Sequence, residues 1–415
     1  MKHQLSVGSI DEASRRLVGV VEKTPLQFSS RLSKETGACV YLKREDLQEV
    51  RSYKIRGAYN LIASLTDKER KRGVVCASAG NHAQGVALSC SRLRVRGAIF
   101  MPLNTPLQKI NRVRHFGGNW VETVIVGNNF DEANTLAAAF AKKRNAVFVH
   151  PFDDERVMSG QGTVGKEIVQ DLGGKLDTVV CPVGGGGLIA GTGTYCKTAA
   201  NGIKLIGVEA AGAAGMTRSL RAGRVVTLPS LDRFVDGAAV RTVGRKPFVV
   251  AKKLVDKMIV VPTGQVCATM IDLYQNEGIV AEPAGALAVA ALPFLKNLRG
   301  KTVVCVLSGG NNDILRYPEI MERSLVYKGL KHYFLIEFAQ KPGQLKLLIN
   351  QTLGPEDDIV RFEYLKKNSK ESGPALIGIE SSKKENFGRL VERLNKFKIN
   401  FREVCPDDPL IGFMI

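Results

Sequence analysis

A chain of 415 residues with 44% hydrophobic and 24% charged side chains is globular and too long for one ordinary core, so two or three domains are expected. The net charge of +19 suggests nucleic acid, but the basic residues are scattered, without a Lys/Arg run interleaved with aromatics. No apolar run could span a bilayer and the polar start Met1-Lys2-His3-Gln4-Leu5 is not a signal peptide, so a cytoplasmic protein without nucleic-acid or membrane partners is expected.

In chain order, the first feature is a charged stretch, Tyr41-Leu42-Lys43-Arg44-Glu45-Asp46. The heptapeptide Ser52-Tyr53-Lys54-Ile55-Arg56-Gly57-Ala58 follows, and then a helix-like run over 58–63. Strands are predicted over 73–77, 97–101, 121–126, 177–181, 204–209 and 301–307. Several are near-continuous apolar runs, as in strands of a parallel sheet covered on both faces. Helix-like segments follow most of them, which predicts an α/β architecture with crossover connections. The pattern changes near Gly329, with a domain boundary expected at about 325–330. Beyond it the sequence predicts a strand over 332–338, a helix over 343–349, strands over 359–364 and 375–380, a helix over 386–394 and a last strand near Phe401. That order, βαββαβ, is ferredoxin-like. Residues 331–415 carry 14 Lys/Arg against 12 Asp/Glu, so nearly all the basic excess lies before them.

The eight cysteines fit a reducing compartment. Cys39, Cys76, Cys181 and Cys305 sit in or beside strand-like apolar runs and are expected to be buried, with Cys90 a reduced bystander. No CxxC or Cys/His spacing suggests a metal, and no disulfide framework is expected.

Lys54 alone would be one solvated charge among 59 Lys and Arg. Three other segments change its reading. Gly184-Gly185-Gly186-Gly187 follows a strand ending at Val183 and opens a helix-like stretch. Such a turn aims backbone N–H groups at a phosphate, which the helix dipole favours. A plain strand-to-helix turn needs one or two glycines, not four. The G-x-G-x-x-G pattern is matched only loosely and no G-x-x-x-x-G-K-[ST] occurs, which argues against a dinucleotide or a nucleoside triphosphate. Ser78-Ala79-Gly80-Asn81-His82 is a second strand-to-helix turn, suited to a small carboxylate, and Asn81 adds an amide able to donate to a phenolate oxygen. Taken singly it would be a helix cap, with His82 a packing residue. Ser308, in Ser308-Gly309-Gly310-Asn311-Asn312, could meet a ring nitrogen, though alone it would be a turn serine. Together the four segments supply an amine, a carboxylate cradle, a phosphate cradle and a ring partner, the set that holds pyridoxal phosphate.

On these segments the chain resembles the threonine dehydratases (threonine ammonia-lyases) of the fold-type II pyridoxal-phosphate family. Further matching stretches are Tyr41 to Leu47, His150-Pro151-Phe152-Asp153, Phe234 to Val240 and Ala281-Glu282-Pro283-Ala284-Gly285. Lys341-Pro342-Gly343 and residues 357–364 resemble the family's ACT-like regulatory domain, present once as in the short biosynthetic form.

The resemblance implies two open twisted α/β domains over 1–325, a smaller one at about 45–150 inserted in the larger, and an α+β ACT-like domain over 330–415. It implies that Lys54 is the Schiff-base lysine and general base, and that Asn81 binds the ring oxygen. Gly184, Gly185, Gly186, Gly187 and the Leu188 amide would hold the phosphate, with Ser308 at the ring nitrogen. Ser78, Ala79, Gly80 and Asn81 would take the substrate carboxylate, and Glu282 would lie near ring and substrate. The implied activity is β-elimination and deamination of L-threonine, and of L-serine, to a 2-oxo acid and ammonia. For threonine this gives 2-oxobutanoate, the first committed step of isoleucine biosynthesis, with isoleucine as inhibitor and a homotetramer as the assembly. The neutral Ser308 hydroxyl suits elimination better than transamination. Related serine racemases carry a serine where Ala79 stands, and Glu209 is followed by Ala210-Ala211-Gly212-Ala213 with no aspartate, so neither racemisation nor a metal is expected. A catabolic serine/threonine deaminase, a β-replacement synthase and a non-catalytic amino-acid sensor are the alternatives.

Overall fold

The structure is a computed structural model that describes residues 4–199, 202–364, 371–405, 408, 410 and 414. It divides into two compact units, Met1–Thr263 with Glu277–Asn312, and Gly264–Asn276 with Asp313–Ile415.

The first unit contains β1 (Leu26–Phe28), β2 (Cys39–Arg44), β3 (Val74–Ala77), β4 (Gly97–Met101) and β5 (Val121–Ile125). It continues with β6 (Val147–Phe148), β7 (Thr178–Pro182), β8 (Lys204–Ala210), β9 (Lys257–Val261) and β10 (Thr302–Leu307). They form a six-stranded sheet of order β1-β2-β10-β7-β8-β9 and a four-stranded sheet of order β5-β4-β3-β6. Every pairing is parallel except β1 with β2. The four-stranded sheet is an excursion of the chain between β2 and β7. Strands β3, β4 and β7 are buried at every residue, which is why their apolar runs are continuous rather than alternating.

Cys39 departs from expectation. It is exposed, whereas Cys76, Cys90, Cys181 and Cys305 are buried. Cys39 is the first residue of β2, and the alternation of the strand turns Val40 and Leu42 inward instead.

Charged residues occupy the centre of the first unit. Lys43 on β2 and Arg56 on the helix Lys54–Ala63 are fully buried, as is Glu45. The Arg56 guanidinium donates to both Glu45 oxygens at 2.8 Å and to Glu167 at 2.6 and 2.9 Å. Lys43 Nζ pairs with Glu167 at 2.6 Å and donates to the Thr24 carbonyl at 2.7 Å. Two cations and two carboxylates thus balance, and Thr24, Gln48 and Thr163 satisfy further positions. Removing one member strands the rest as unpaired buried charge.

The second unit contains β11 (Lys331–Ala339), β12 (Asp357–Tyr364), β13 (Ser372–Ser381) and β14 (Asn400–Glu403), in an antiparallel sheet of order β12-β13-β11-β14. Two helices, Gln344–Thr352 and Asn386–Lys396, complete a ferredoxin-like βαββαβ unit. Alternate β11 residues Phe334, Ile336 and Phe338 pack with Ile377, Ile379, Leu348, Leu390 and Leu394 in its core. The helix Tyr317–Lys328 ends at Gly329, whose φ of 68° is the left-handed cap that turns the chain into β11. A helix from earlier in the chain, Thr263–Glu277, packs in this unit through an Asp272–Lys328 ion pair of 3.1 Å and the approach of Gly264 to Tyr327.

Replacing Arg56 by Met is expected to cost about 3–5 kcal/mol, against about 0–1 kcal/mol for Arg92→Met, which breaks the exposed pair with Glu49 and two long exposed bonds to the Gly19 and Val20 carbonyls. Denaturant unfolding of the two variants beside the parent checks the contrast; equal effects would show that the buried quartet carries no special weight.

Candidate active site

Lys54 is the first residue of its helix, and the residues before it are stitched to the loop after β10. The Tyr53 amide donates to the Ser308 carbonyl at 3.2 Å and the Gly310 amide to the Arg51 carbonyl at 2.9 Å, with a bridge between Ser52 and Gly309. Two motifs more than 250 residues apart in sequence therefore form one wall. The wall needs Gly309, because a Cβ there would collide with the Glu282 carboxyl.

The Lys54 amine has weak contacts. Nζ lies 3.5 Å from the Pro151 carbonyl and 5.1 Å from the centre of the Tyr53 ring. Unlike Lys43, it has no carboxylate in ion-pair contact among the described residues. Burial pulls its pKa from 10.5 down to about 8, with the charge of Glu282 acting in the opposite sense. Two histidines near it stay neutral. Burial and then the Lys54 charge lower His82 to about 3, and its Nε2 donates to the Val149 carbonyl at 2.8 Å. His150 is lowered chiefly by burial, and its Nδ1 accepts from the amides of Phe152 and Asp153 at 3.3 and 2.9 Å. His82 is thus a packing donor.

Ser78, Ala79 and Gly80 connect β3 to the helix Asn81–Leu93. The first-turn N–H groups of a helix lack intrahelical partners. A Cβ at Gly80 would meet nothing within 4 Å, so space lies open beside this turn. The Ala79 methyl packs against the core around the smaller sheet.

The four glycines follow β7, with Gly187 the first residue of the helix Gly187–Ala199. Gly186 takes φ +94°, which other residues reach only with strain. A Cβ at Gly184 would lie 2.8 Å from the Ala238 carbonyl oxygen, and one at Gly185 would fall inside the Phe152 ring. The loop is tight because Phe152, Gln161 and Ala238 close on it.

Ser308 is buried directly after β10, and its hydroxyl donates to the Ala284 carbonyl at 3.3 Å. Glu282, 4% exposed, accepts from Asn81 Nδ2 at 2.6 Å. Burial first, and then Asp236, push its pKa up to about 7, against the opposing bond from Asn81. Asn311 donates to Asn81 Oδ1 at 2.7 Å, a contact the sequence reading did not single out. Gln161 is likewise unanticipated; its Oε1 would lie 2.5 Å from a Cβ at Gly187. Asn311 lies inside a motif that was noticed, whereas nothing in the sequence marks Gln161.

Glu209 is a helix cap in this structure. Buried at the end of β8, it accepts from the Met216 and Thr217 amides at 2.7 and 2.8 Å and from the Thr217 hydroxyl at 2.6 Å. Among the described residues no group of three or more His, Cys, Asp and Glu is placed to hold a metal ion, and no helix is long and apolar enough to cross a membrane.

Residues 18–309 match the model of the pyridoxal-phosphate dependent enzymes. The chain belongs to that family. Residues 322–414 match the C-terminal regulatory domain of threonine dehydratase. The chain is 50% identical over 99% of its length to the L-threonine dehydratase biosynthetic IlvA of Halalkalibacterium halodurans, covering 100% of that protein. It is 48% identical over 99% of its length to the enzyme of the same name from Bacillus subtilis, covering 98% of it. The processed form of threonine deaminase isoform 2 from Solanum lycopersicum superposes with a TM-score of 0.72 at 39% identity, over 78% of this chain and 96% of that one. Maize serine racemase superposes at 0.71 with 30% identity, over 78% and 98%.

Pyridoxal phosphate is the cofactor of this chain, and the residues fit it. Ser52 Oγ, Gln161 Oε1 and Asn311 Oδ1 are buried without hydrogen-bond partners, an arrangement that a polar guest relieves. The glycine loop packs too closely for side chains, and the amine beside it is desolvated.

The lowered pKa has a direct consequence. In the cofactor-free protein, Lys54 is expected to react with an amine-directed aldehyde under reducing conditions with a midpoint near pH 8, while exposed lysines follow about pH 10.4. Peptide mass spectrometry across pH reads both; a Lys54 midpoint with the exposed lysines would contradict its desolvation.

Proposed function

We propose that this chain converts L-threonine to 2-oxobutanoate and ammonia, as a biosynthetic threonine dehydratase that also accepts L-serine. The observation that carries the reading is the likeness at about half identity along both units to relatives named for that reaction. A likeness confined to the first unit would leave the substrate open, because that fold also occurs in a serine racemase.

In this reading Lys54 carries the cofactor, and the amides of residues 184–188 hold its phosphate at a helix N-terminus. Asn81 donates to the ring oxygen and Ser308 meets the ring nitrogen. The amides of Ser78 to Asn81 take the substrate carboxylate, and Glu282 lies beside both. Bound pyridoxal phosphate supplies an electron sink for the bond that breaks at Cα. The chain does the proton work. Lys54 Nζ, lowered to about 8, is neutral in an appreciable fraction near neutral pH and can take the Cα proton. Protonated, the same amine can donate to the departing β-hydroxyl. At Ala79 a methyl group packed on the core offers no proton to the opposite face, which favours elimination over racemisation.

The C-terminal unit binds isoleucine and lowers activity when it does so. The protein works in the cytoplasm as a homo-oligomer, with a tetramer the assembly implied by resemblance.

The test is 2-oxo acid formation from L-threonine and L-serine, with and without isoleucine. Turnover of both, inhibited by isoleucine and reduced at least about a thousandfold in Lys54→Ala, is expected. Racemised amino acid without 2-oxo acid would overturn the reaction, and full activity in saturating isoleucine would overturn the regulation.

A further inference from the structure

We infer that Asn311 is a positioning residue that holds the Asn81 amide in the one orientation presenting an N–H to the cofactor. This rests on the reading of Asn81 proposed above. The two ends of an asparagine amide have nearly the same shape, so orientation must come from the partners. Here it starts at a backbone carbonyl, which can only accept. Asn311 Nδ2 lies 2.7 Å from the Val50 carbonyl, which settles which end of that amide is nitrogen. The other hydrogen of Asn311 Nδ2 goes to Asn81 at 2.7 Å, so the Asn81 atom receiving it is Oδ1. Asn81 Nδ2 must then lie on the far side, where it donates to Glu282 Oε1 at 2.6 Å. One of its two hydrogens is left, and it is the only strong donor that the Asn81 side chain can offer.

Four chain segments meet in this relay: the loop before Lys54, the loop after β10, the start of the helix Asn81–Leu93 and Glu282 at the cap of the helix Pro283–Ala290. Without Asn311, Asn81 can rotate and set its Oδ1 against Glu282. Two acceptors would then face each other unless Glu282 held a proton. Asn311 therefore also governs the protonation of Glu282 through Asn81. The titratable groups that act on Glu282 include Asp236, Lys109, Lys54 and the Tyr53 hydroxyl, and none of these belongs to the relay. The mere tethering of Val50 by Asn311 would predict a loss of stability and nothing more.

The test is a double-mutant cycle on the purified holoprotein, read by the pH titration of the cofactor's absorption and by cofactor dissociation, with thermal melts as the folding control. Asn81→Ala and Asn311→Ala are each expected to move the spectral midpoint by about one pH unit and weaken cofactor retention about tenfold. Asn311→Asp, close in shape but unable to donate, should do the same. The double variant Asn81→Ala/Asn311→Ala should match Asn81→Ala alone. Additive shifts, or Asn311 variants that lose only thermal stability, would overturn the positioning role while leaving Asn81 in the site. An unchanged titration in Asn81→Ala would overturn the reading of Asn81, and the inference with it.

Discussion

Taking one amine out of water without giving it a counter-charge is the constraint on which the site depends. Lys43, Arg56 and Lys54 all lie within the first unit, but the first two are matched to Glu45 and Glu167. Both hold structure through those pairs. Lys54 is held away from that network at a helix N-terminus, where the dipole also disfavours an ammonium. It shifts its pKa instead, because its half-buried amine is desolvated with no carboxylate in ion-pair contact among the described residues. Arg56, two residues later on the same helix, fixes the backbone that keeps Lys54 there. A rigid charged support beside an amine that loses its proton more readily than an exposed lysine is the physical arrangement that a carbonyl cofactor requires.

The rest of the site follows from parallel-sheet topology. Ser78 follows β3, Gly184 lies just past β7, and Ser308 follows β10. Ligands of open α/β folds gather outside the carboxyl ends of strands, where helix N-termini point inward. Two such termini lie at Asn81 and Gly187, and the proposed function gives them two different anions, a substrate carboxylate and a cofactor phosphate. The contrast between them is local. The glycine loop is walled by Phe152, Ala238 and Gln161, while the space in front of Gly80 is open, as suits a permanent guest and a passing one.

Legibility in the sequence followed burial. Strands covered on both faces announced themselves as apolar runs, and β3, β4, β7, β8 and β10 lie within a residue of their predicted bounds at most ends. The missed strands have physical excuses. Those of β1, β6 and β9 are edge positions, two of them three residues or fewer in length. β2 reads as a charged stretch because Lys43 is buried through ion pairing, which a hydrophobic pattern cannot register. In the site, Lys54 and the four glycines were conspicuous as oddities of composition. Asn311 and Gln161 were not, because an amide's role depends on partners outside its own motif: Val50 and Asn81 for the first, the Pro151 carbonyl for the second. Cys39 was misjudged by one step of strand alternation.

In the proposed function Lys54, and no other lysine, carries the cofactor. Borohydride reduction of the holoprotein followed by peptide mass spectrometry tests it directly. The account predicts a pyridoxyl group on the peptide containing the half-buried Lys54 and none on Lys43, which is fully buried and already paired with Glu167. A label on Lys43 or on a surface lysine, with Lys54 unmodified, would contradict it.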